Sequence, residues 1–220
     1  MKSRNFFLLF FIVISFSGVA QSSSLGDWLI YFGNKKLNDK WNIHHEVQYR
    51  NYNIAGDLEQ LLLRAGVGYN LSENNNNVLI GYGFIHSENY QDTSNTKTGV
   101  NEHRIYQQFI TKQSFGRFSL QHRYRIEERF VEDDFLMRFR YFLAAKVALN
   151  KPKIEDNTFY LSAYNELFIH GQNTYFDRNR IYGGLGFALK PSLKFELGYM
   201  SQIFQNSCRD QVNVICSWSF

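Results

Sequence analysis

The sequence predicts an all-β protein, an antiparallel up-and-down transmembrane β-barrel of ten to twelve strands. Apolar and polar residues alternate with a period of two in many successive segments, and aromatic residues flank these segments. The chain also begins with the features of an export signal. Strand side chains point alternately to two faces, whereas the 100° step of a helix would mix the two sets.

The first twenty residues have the three parts of a secretory signal peptide. Lys2 and Arg4 give a positive start, Phe6 to Phe16 is apolar, and Gly18-Val19-Ala20 supplies small residues before the cleavage point. The apolar run is shorter than the roughly 20 residues that a spanning helix needs. We therefore expect a signal peptide at residues 1–20, one barrel domain at residues 21–220, and a location in the cell outer membrane.

Composition excludes some functions. The formal charge of +4 includes Lys2 and Arg4, so the mature chain is close to neutral and no nucleic-acid partner is expected. Cys208 and Cys216 lie eight positions apart, which in one strand is about 26 Å at ~3.3 Å per residue, too far for a disulfide. They are predicted to be free thiols, and the sequence indicates no metal site and no cofactor.

Eleven segments are candidate strands. Alternation is clearest at 41–50, 60–71, 118–129 and 135–149. Less regular candidates run roughly over 25–33, 77–88, 100–113, 158–170, 178–189, 193–203 and 210–220. A barrel with both ends in the periplasm needs an even number of strands. We therefore expect either that 25–33 is a partial strand or lumenal extension of a ten-stranded barrel, or that a long segment contains a twelfth strand.

The connections predict an orientation. Most are short and rich in turn-forming residues, but two are longer and polar, Asn89 to Thr98 and Gly171 to Arg178. In outer-membrane barrels the long loops face the outside and the short turns face the periplasm. Counting back from a periplasmic C-terminus places both long connections outside.

The long apolar rows on one face of the strands and the polar rows on the other favour a barrel in a bilayer over a barrel in water. A soluble barrel encloses its apolar face, whereas a membrane barrel turns that face to lipid and its polar face to the lumen. Long apolar rows, such as the one containing Phe135, Phe139 and Leu143, have too much bulk for the inside of a small barrel. We therefore expect contact with outer-membrane lipid and lipopolysaccharide.

The C-terminal segment predicts a further partner. Val212, Val214, Cys216, Trp218 and Phe220 share one face, and the chain ends on Phe220. A terminal aromatic residue that closes an alternating strand resembles the signal by which the barrel-assembly machinery recognises its substrates. Trp218 and Phe220 are the predicted assembly signal.

Several short stretches carry a family resemblance. They are EHRIYQQF (102–109), LQHRYRIEERF (120–130), RFRYFLA (138–144), YNELF (164–168) and NRIYGGLGF (179–187). In order and spacing they resemble domain-of-unknown-function family 2490, predicted barrels frequent in Bacteroidetes, over nearly the whole mature chain. The resemblance implies an outer-membrane β-barrel without an assigned activity and supplies no catalytic residue.

A ladder of charged residues is predicted to face the lumen. Lys194 and Glu196 belong to the same polar rows, and the ladder itself consists of Glu46, Arg50, Arg64, Glu102, Arg104, Arg123, Arg125, Glu127, Arg129, Arg138, Arg140, Glu166 and Arg180. Opposite charges on neighbouring strands would meet as bidentate pairs that fill the lumen and fix the strand register. Alternatively, the excess of guanidinium groups lines a narrow, porin-like passage that favours anions.

An enzyme is the other class of function considered. Outer-membrane hydrolases, such as phospholipases or lipid A deacylases, combine His with Ser or Asp near the outer rim. Here His86 and Ser87 are adjacent and would point to opposite faces of a strand, and no nucleophile elbow or paired carboxylate is present. The sequence therefore predicts no enzyme, with a lipid-modifying hydrolase using His86 or His170 as the alternative.

Overall fold

Eleven β-strands make up the regular structure of this computed structural model, which describes residues 25–54, 56–72, 75–91, 95–172 and 175–220. The predicted signal peptide, residues 1–20, lies outside the described residues. Each candidate segment coincides with one strand. The strands are β1 (Gly26–Lys36), β2 (Trp41–Asn53), β3 (Gly56–Asn70), β4 (Asn76–Tyr90), β5 (Lys97–Phe115), β6 (Phe118–Val131), β7 (Asp134–Ala148), β8 (Thr158–His170), β9 (Phe176–Lys190), β10 (Leu193–Ile203) and β11 (Cys208–Ser219). Across these ranges, no helix has the length and apolarity required to cross a membrane.

The strands form a closed barrel of eleven strands, which confirms the predicted all-β barrel of ten to twelve strands. Successive strands pair antiparallel, and β1 closes the sheet by pairing with β11 in parallel, from Gly26 opposite Gln211 to Asn34 opposite Ser219. The expectation of an even strand number is therefore wrong. A parallel closing pair lets an odd number of strands form a cylinder, so β1 is a full member of the wall and no twelfth strand is needed.

The parallel closure puts the start of β1 and the end of β11 at opposite ends of the barrel. The C-terminal end, where Phe220 lies, carries the connections 37–40, 71–75, 116–117, 149–157 and 191–192. The N-terminal end, where β1 begins, carries the connections 54–55, 91–96, 132–133, 171–175 and 204–207. Both connections predicted to be long lie at the N-terminal end, but strands extend into them, and the nine-residue connection 149–157 lies at the other end. Loop length therefore does not distinguish the two ends.

The two faces of the wall differ sharply in chemistry. Outward rows are apolar and exposed: Phe135 is 48% exposed, Phe139 41% and Leu143 37%. Inward rows hold the charges, with Glu127 0% and Arg125 2% exposed. In the described strands, the charged residues of the outward rows lie within three positions of a strand end. This is the reverse of a soluble barrel, in which the apolar face is enclosed.

Aromatic residues occupy other parts of the interior. Tyr106 and Tyr160 are fully buried, and each lies over a glycine of the neighbouring strand. A Cβ at Gly81 would lie 2.4 Å from the Tyr106 ring, and a Cβ at Gly186 would lie 2.2 Å from the Tyr160 ring. These glycines are needed because atoms of the tyrosine ring occupy the space that a Cβ would take. Nearer β1, a buried apolar cluster contains Trp28, Ile30, Tyr182, Met200 and Ile215.

Candidate functional site

The charged residues of the barrel interior form the candidate functional site. All thirteen residues of the predicted ladder lie on inward rows, because the register pairs them with one another and with other enclosed residues across neighbouring strands. Eleven of them are buried, and the side chains of Arg123 and Arg129 are 15% and 14% exposed. The barrel thus brings the whole set into one enclosed space.

Glu127, on β6, is the centre of the largest ion-pair cluster. Its Oε2 accepts a hydrogen bond of 2.6 Å from Arg138 Nη2, and its Oε1 accepts one of 2.5 Å from Arg140 Nη1. Arg125 Nη1 is 3.4 Å from Oε1, and Arg104 Nη1 is 3.9 Å from Oε2. A single carboxylate therefore neutralises part of the charge of four guanidinium groups.

Glu166, on β8, extends this cluster. Its Oε1 accepts hydrogen bonds from Arg140 Nη2 at 2.6 Å and from Arg123 Nη2 at 2.7 Å. Arg180 Nη1 approaches its Oε2 at 3.6 Å. Arg140 bonds to both Glu127 and Glu166, so strands β6, β7, β8 and β9 are joined by one continuous network.

Two smaller groups complete the ladder. Glu102 holds Arg104 and Arg129 in bidentate contacts, with Arg129 Nε at 2.6 Å and Nη2 at 3.0 Å from its two oxygens. Glu46 pairs with Arg64, whose Nη1 lies 3.1 Å from both carboxylate oxygens. The bidentate geometry of the Glu102 pairs is the strong form of this interaction and fixes strand register as well as charge.

The ladder is not electrically balanced. It contains nine arginines and four glutamates, a formal excess of five positive charges. Part of this excess faces an aromatic ring, since Phe168 lies beneath the guanidinium groups of Arg138, Arg140 and Arg180 at 5.3, 4.4 and 4.6 Å. Such contacts are attractive but weaker than a paired carboxylate.

A second group of charges lies closer to the C-terminal end. Glu196 pairs with Lys146 and accepts a hydrogen bond of 3.0 Å from the Tyr160 hydroxyl. Lys194, which the sequence placed in the same row as Glu196, also lies on the inward row of β10.

Asp177 is an interior residue that the sequence pattern did not identify. Its carboxylate accepts hydrogen bonds from Arg138 Nη1 at 3.2 Å and Arg178 Nε at 2.8 Å. It falls within the segment predicted to be a long connection, and the register shifts there by a bulge at Phe168/Ile169. A bulge changes which face a residue occupies, so period-two counting misplaces the residues beside it.

Neutral amides are a second group of partners that charge counting missed. Gln108 Oε1 accepts hydrogen bonds from Arg125 at 2.7 and 3.0 Å, and Gln202 Oε1 accepts one from Arg180 at 2.8 Å. Their inward positions were the available signal, since both lie in register with arginines of the ladder.

The two histidines considered for a hydrolase, His86 and His170, lie beside an amide and a carboxylate. The ring of His86 shares a hydrogen bond of 2.8 Å with Asn101, and His170 Nε2 lies 3.8 Å from Asp177. Three other histidines pair with outward tyrosines: His45 with Tyr31, His103 with Tyr82 and His122 with Tyr141. Cys208 and Cys216 are free thiols, as predicted.

The predicted assembly signal lies on the outer surface at the C-terminal end. Trp218 and Phe220 are 46% and 48% exposed, and their ring centroids are 4.7 Å apart. The Phe220 backbone donates to Asn34 O at 2.9 Å and accepts from Lys36 N at 2.8 Å. The last residue of the chain is therefore hydrogen-bonded to the first strand.

Comparison with known proteins places this barrel in a family. The model of the DUF2490 family, which is described as a family of proteins of unknown function, matches residues 25–213 of this chain, from the start of β1 into β11. A search of the curated proteins and a search of the solved structures each found no match. Because the match covers most of the chain and contains every part of the charge ladder, the chain belongs to the DUF2490 family.

Proposed function

We propose that this chain is an outer-membrane β-barrel whose charge ladder closes the lumen, so that it acts as a structural membrane protein and not as an open pore. The observation that carries the proposal is the inversion of the two faces. Aromatic and aliphatic side chains cover the outside, and the arginines and glutamates are enclosed. Hydrocarbon on the outside accounts for both, because water would favour the opposite arrangement.

The strand lengths support a spanning role. A tilted transmembrane strand needs about 9 to 11 residues, and the strands here have between 11 and 19. A closed sheet also leaves no unpaired edge, which is the condition for burying β-structure in lipid.

Aromatic pairs occur on the outer surface towards both ends. At the C-terminal end the rings of Trp41 and Tyr69 are 4.9 Å apart, and at the N-terminal end those of Phe130 and Phe135 are 5.3 Å apart. Two such girdles are typical of barrels whose rims lie at the two bilayer interfaces.

The burial of the inward rows favours a filled lumen over a channel. Residues lining a water-filled passage would be accessible to solvent, but Glu127, Tyr106 and Tyr160 are 0% exposed. Zero exposure of these three side chains is typical of a packed interior and not of a passage lined by solvent. We therefore favour the charge ladder over the porin-like interpretation.

Export and assembly follow from the same proposal. Residues 1–20 would direct the chain across the inner membrane, and Trp218 with Phe220 would be presented to the barrel-assembly machinery. Outer-membrane lipid and lipopolysaccharide would then surround the apolar rows. We propose no enzymatic activity; loss of phospholipid or lipopolysaccharide hydrolysis in His86→Ala or His170→Ala would be needed to support the hydrolase alternative.

Fractionation combined with conductance tests the proposal. The mature chain should separate with the outer membrane, and the purified protein, shown by protease protection to be inserted in vesicles, should give no resolvable conductance in planar bilayers. Free periplasmic protein would disprove the membrane location. Anion-favouring conductance steps from inserted protein would instead establish the narrow channel.

A further inference from the structure

Arg50 is the exception in the charge ladder. Among the described residues it forms no ion pair, and its hydrogen bonds go to neutral oxygens: Gln48 Oε1 at 2.6 and 3.0 Å, and Gln60 Oε1 at 2.5 Å. Arg50 is nevertheless buried, with a relative exposure of 7%. A buried guanidinium without a counter-ion destabilises the folded state, so an anion bound beside Arg50 would be stabilising.

A second guanidinium lies beside the same indole ring. The centre of the Arg50 guanidinium is 3.7 Å from the Trp28 ring centroid, and that of Arg180 is 4.9 Å from it. Arg180 shares its nearest carboxylate, Glu166 at 3.6 Å, with Arg123 and Arg140. Two incompletely neutralised cations therefore meet at Trp28.

Unpaired polar atoms surround this point. Trp28 Nε1, both side-chain amide atoms of Gln211 and Oδ1 of Asn213 have no hydrogen-bond partner within the described ranges, and the three residues are at most 3% exposed. Trp28 stands opposite Arg50 on β2 and opposite Asn213 on β11, and Gln211 is the adjacent inward residue of β11. Buried polar atoms without partners are rare and indicate an unseen water or ligand.

We propose that this part of the interior, formed by Arg50, Arg180, Trp28, Gln211 and Asn213, binds a small protonated oxyanion of the phosphate type. The guanidinium groups would supply charge, and the Trp28 and Gln211 N–H groups would donate to its oxygens. The free oxygens of Gln211 and Asn213 require a donor, which the O–H of hydrogen phosphate provides and sulfate at neutral pH lacks.

The location of the site determines the source of the ligand. The Trp28 ring is enclosed by the wall, so a lipid headgroup in the surrounding membrane has no route to it, and the anion would come from solution. Trp28 is two positions from the first residue of β1, so the site is near the N-terminal end. Arg209, paired with Glu59 and 20% exposed, lies between Gln211 and that end and would cover the entrance. The site requires only the barrel interior, so it does not depend on the membrane location.

Calorimetric titration of the full mature chain in detergent with inorganic phosphate tests the proposal. We expect saturable binding, at least tenfold weaker binding of sulfate, and at least a tenfold loss of phosphate affinity in Arg50→Gln. Arg117→Gln is the control, because Arg117 is at an exposed turn of the opposite end and bonds only to backbone oxygens. It should bind phosphate as the parent does.

Gln211→Leu provides a second test that does not depend on Arg50→Gln folding. Leucine removes a buried amide without partners, so the thermal stability should stay the same or rise, while phosphate affinity should fall several-fold. Absence of saturable phosphate binding to the parent chain, equal binding of sulfate, or unchanged affinity in Gln211→Leu would overturn the proposal. Water would then be the occupant of the cluster.

Discussion

At the scale of single residues, the balance of the interior depends on a few carboxylates. Glu127 is shared by Arg104, Arg125, Arg138 and Arg140, so its charge holds together cations that would otherwise repel one another in an enclosed space. Breaking a buried ion pair by removing one partner is more damaging than never having had the pair, because the remaining charge stays desolvated. Loss of Glu127 therefore leaves more buried charges without a counter-charge than loss of any one arginine around it.

Glu127→Gln should strongly destabilise the barrel. We expect a loss of about 3 to 5 kcal/mol in the free energy of unfolding, because four buried guanidinium groups lose their common counter-charge. Glu128→Gln is the matched control, since Glu128 is the adjacent residue on the outward row and accepts a hydrogen bond of 3.4 Å from the neutral amide of Gln107. Thermal unfolding in detergent, followed by circular dichroism, measures both variants. Equal melting temperatures would show that the network contributes little to stability.

The second prediction for single residues concerns the effect of interior glycines on stability. Gly186→Ala should cost about 1 to 3 kcal/mol by overpacking, because the new methyl group would overlap the Tyr160 ring, which has no free space to move into. Gly183→Ala places the same methyl group on the outside of the same strand, where nothing lies within 4 Å. It should change stability by no more than about 0.5 kcal/mol. A similar effect of both substitutions in thermal melts would mean that the strand itself, and not the ring contact, disfavours the side chain.

At the scale of strands, the joint between β1 and β11 decides the architecture. It is the parallel pair of the wall, and its outward rows place Tyr31 directly opposite Cys216. Neighbouring strands lie about 4.8 Å apart, which is within the Cα separation of a disulfide.

Tyr31→Cys should therefore form a disulfide with the native Cys216. In a Cys208→Ser background, oxidation should link the two ends of the sheet covalently and change the mobility of the unreduced, heated protein in gel electrophoresis. Leu29→Cys is the control, because it lies on the same face of β1 but opposite Val214, two positions from Cys216. A barrel closed by β2 and β11, with residues 25–33 outside the wall, would give no link in either variant.

The pairing of β1 with β11 separates what could be predicted from the sequence from what could not. Alternation identified all eleven strands and the inward position of all thirteen ladder residues, because period-two patterning reports the environment of each face directly. It did not report that the first and last strands are neighbours, since pairing between distant segments leaves no mark in either segment alone. Asp177 was missed because a bulge shifts the register beside it, and Trp28 because an apolar residue on an inward row gives no contrast with its outward neighbours.

At the scale of the whole molecule, the exposed apolar rows are the feature whose energetics differ most between water and hydrocarbon. Leu197, at the centre of β10, is 60% exposed and stands between Leu185 and Val214 on the adjacent strands. In water such a residue could be replaced by a charged one at almost no cost, whereas hydrocarbon would penalise the charge according to its depth.

Leu197→Arg therefore distinguishes the two solvents. If the outward rows face lipid, this substitution should lower the free energy of unfolding in phospholipid vesicles by about 2 to 4 kcal/mol, as expected for arginine near the bilayer midplane. Leu37→Arg is the matched control, because Leu37 is similarly exposed, at 51%, but lies in the turn between β1 and β2, where the headgroups and water would be. That variant should cost less than about 1 kcal/mol. Urea titrations of the parent and both variants in vesicles give these values. Equal costs at the two positions would mean that the outer surface lacks the depth dependence that a bilayer imposes. The interpretation that the apolar rows face lipid would then be wrong.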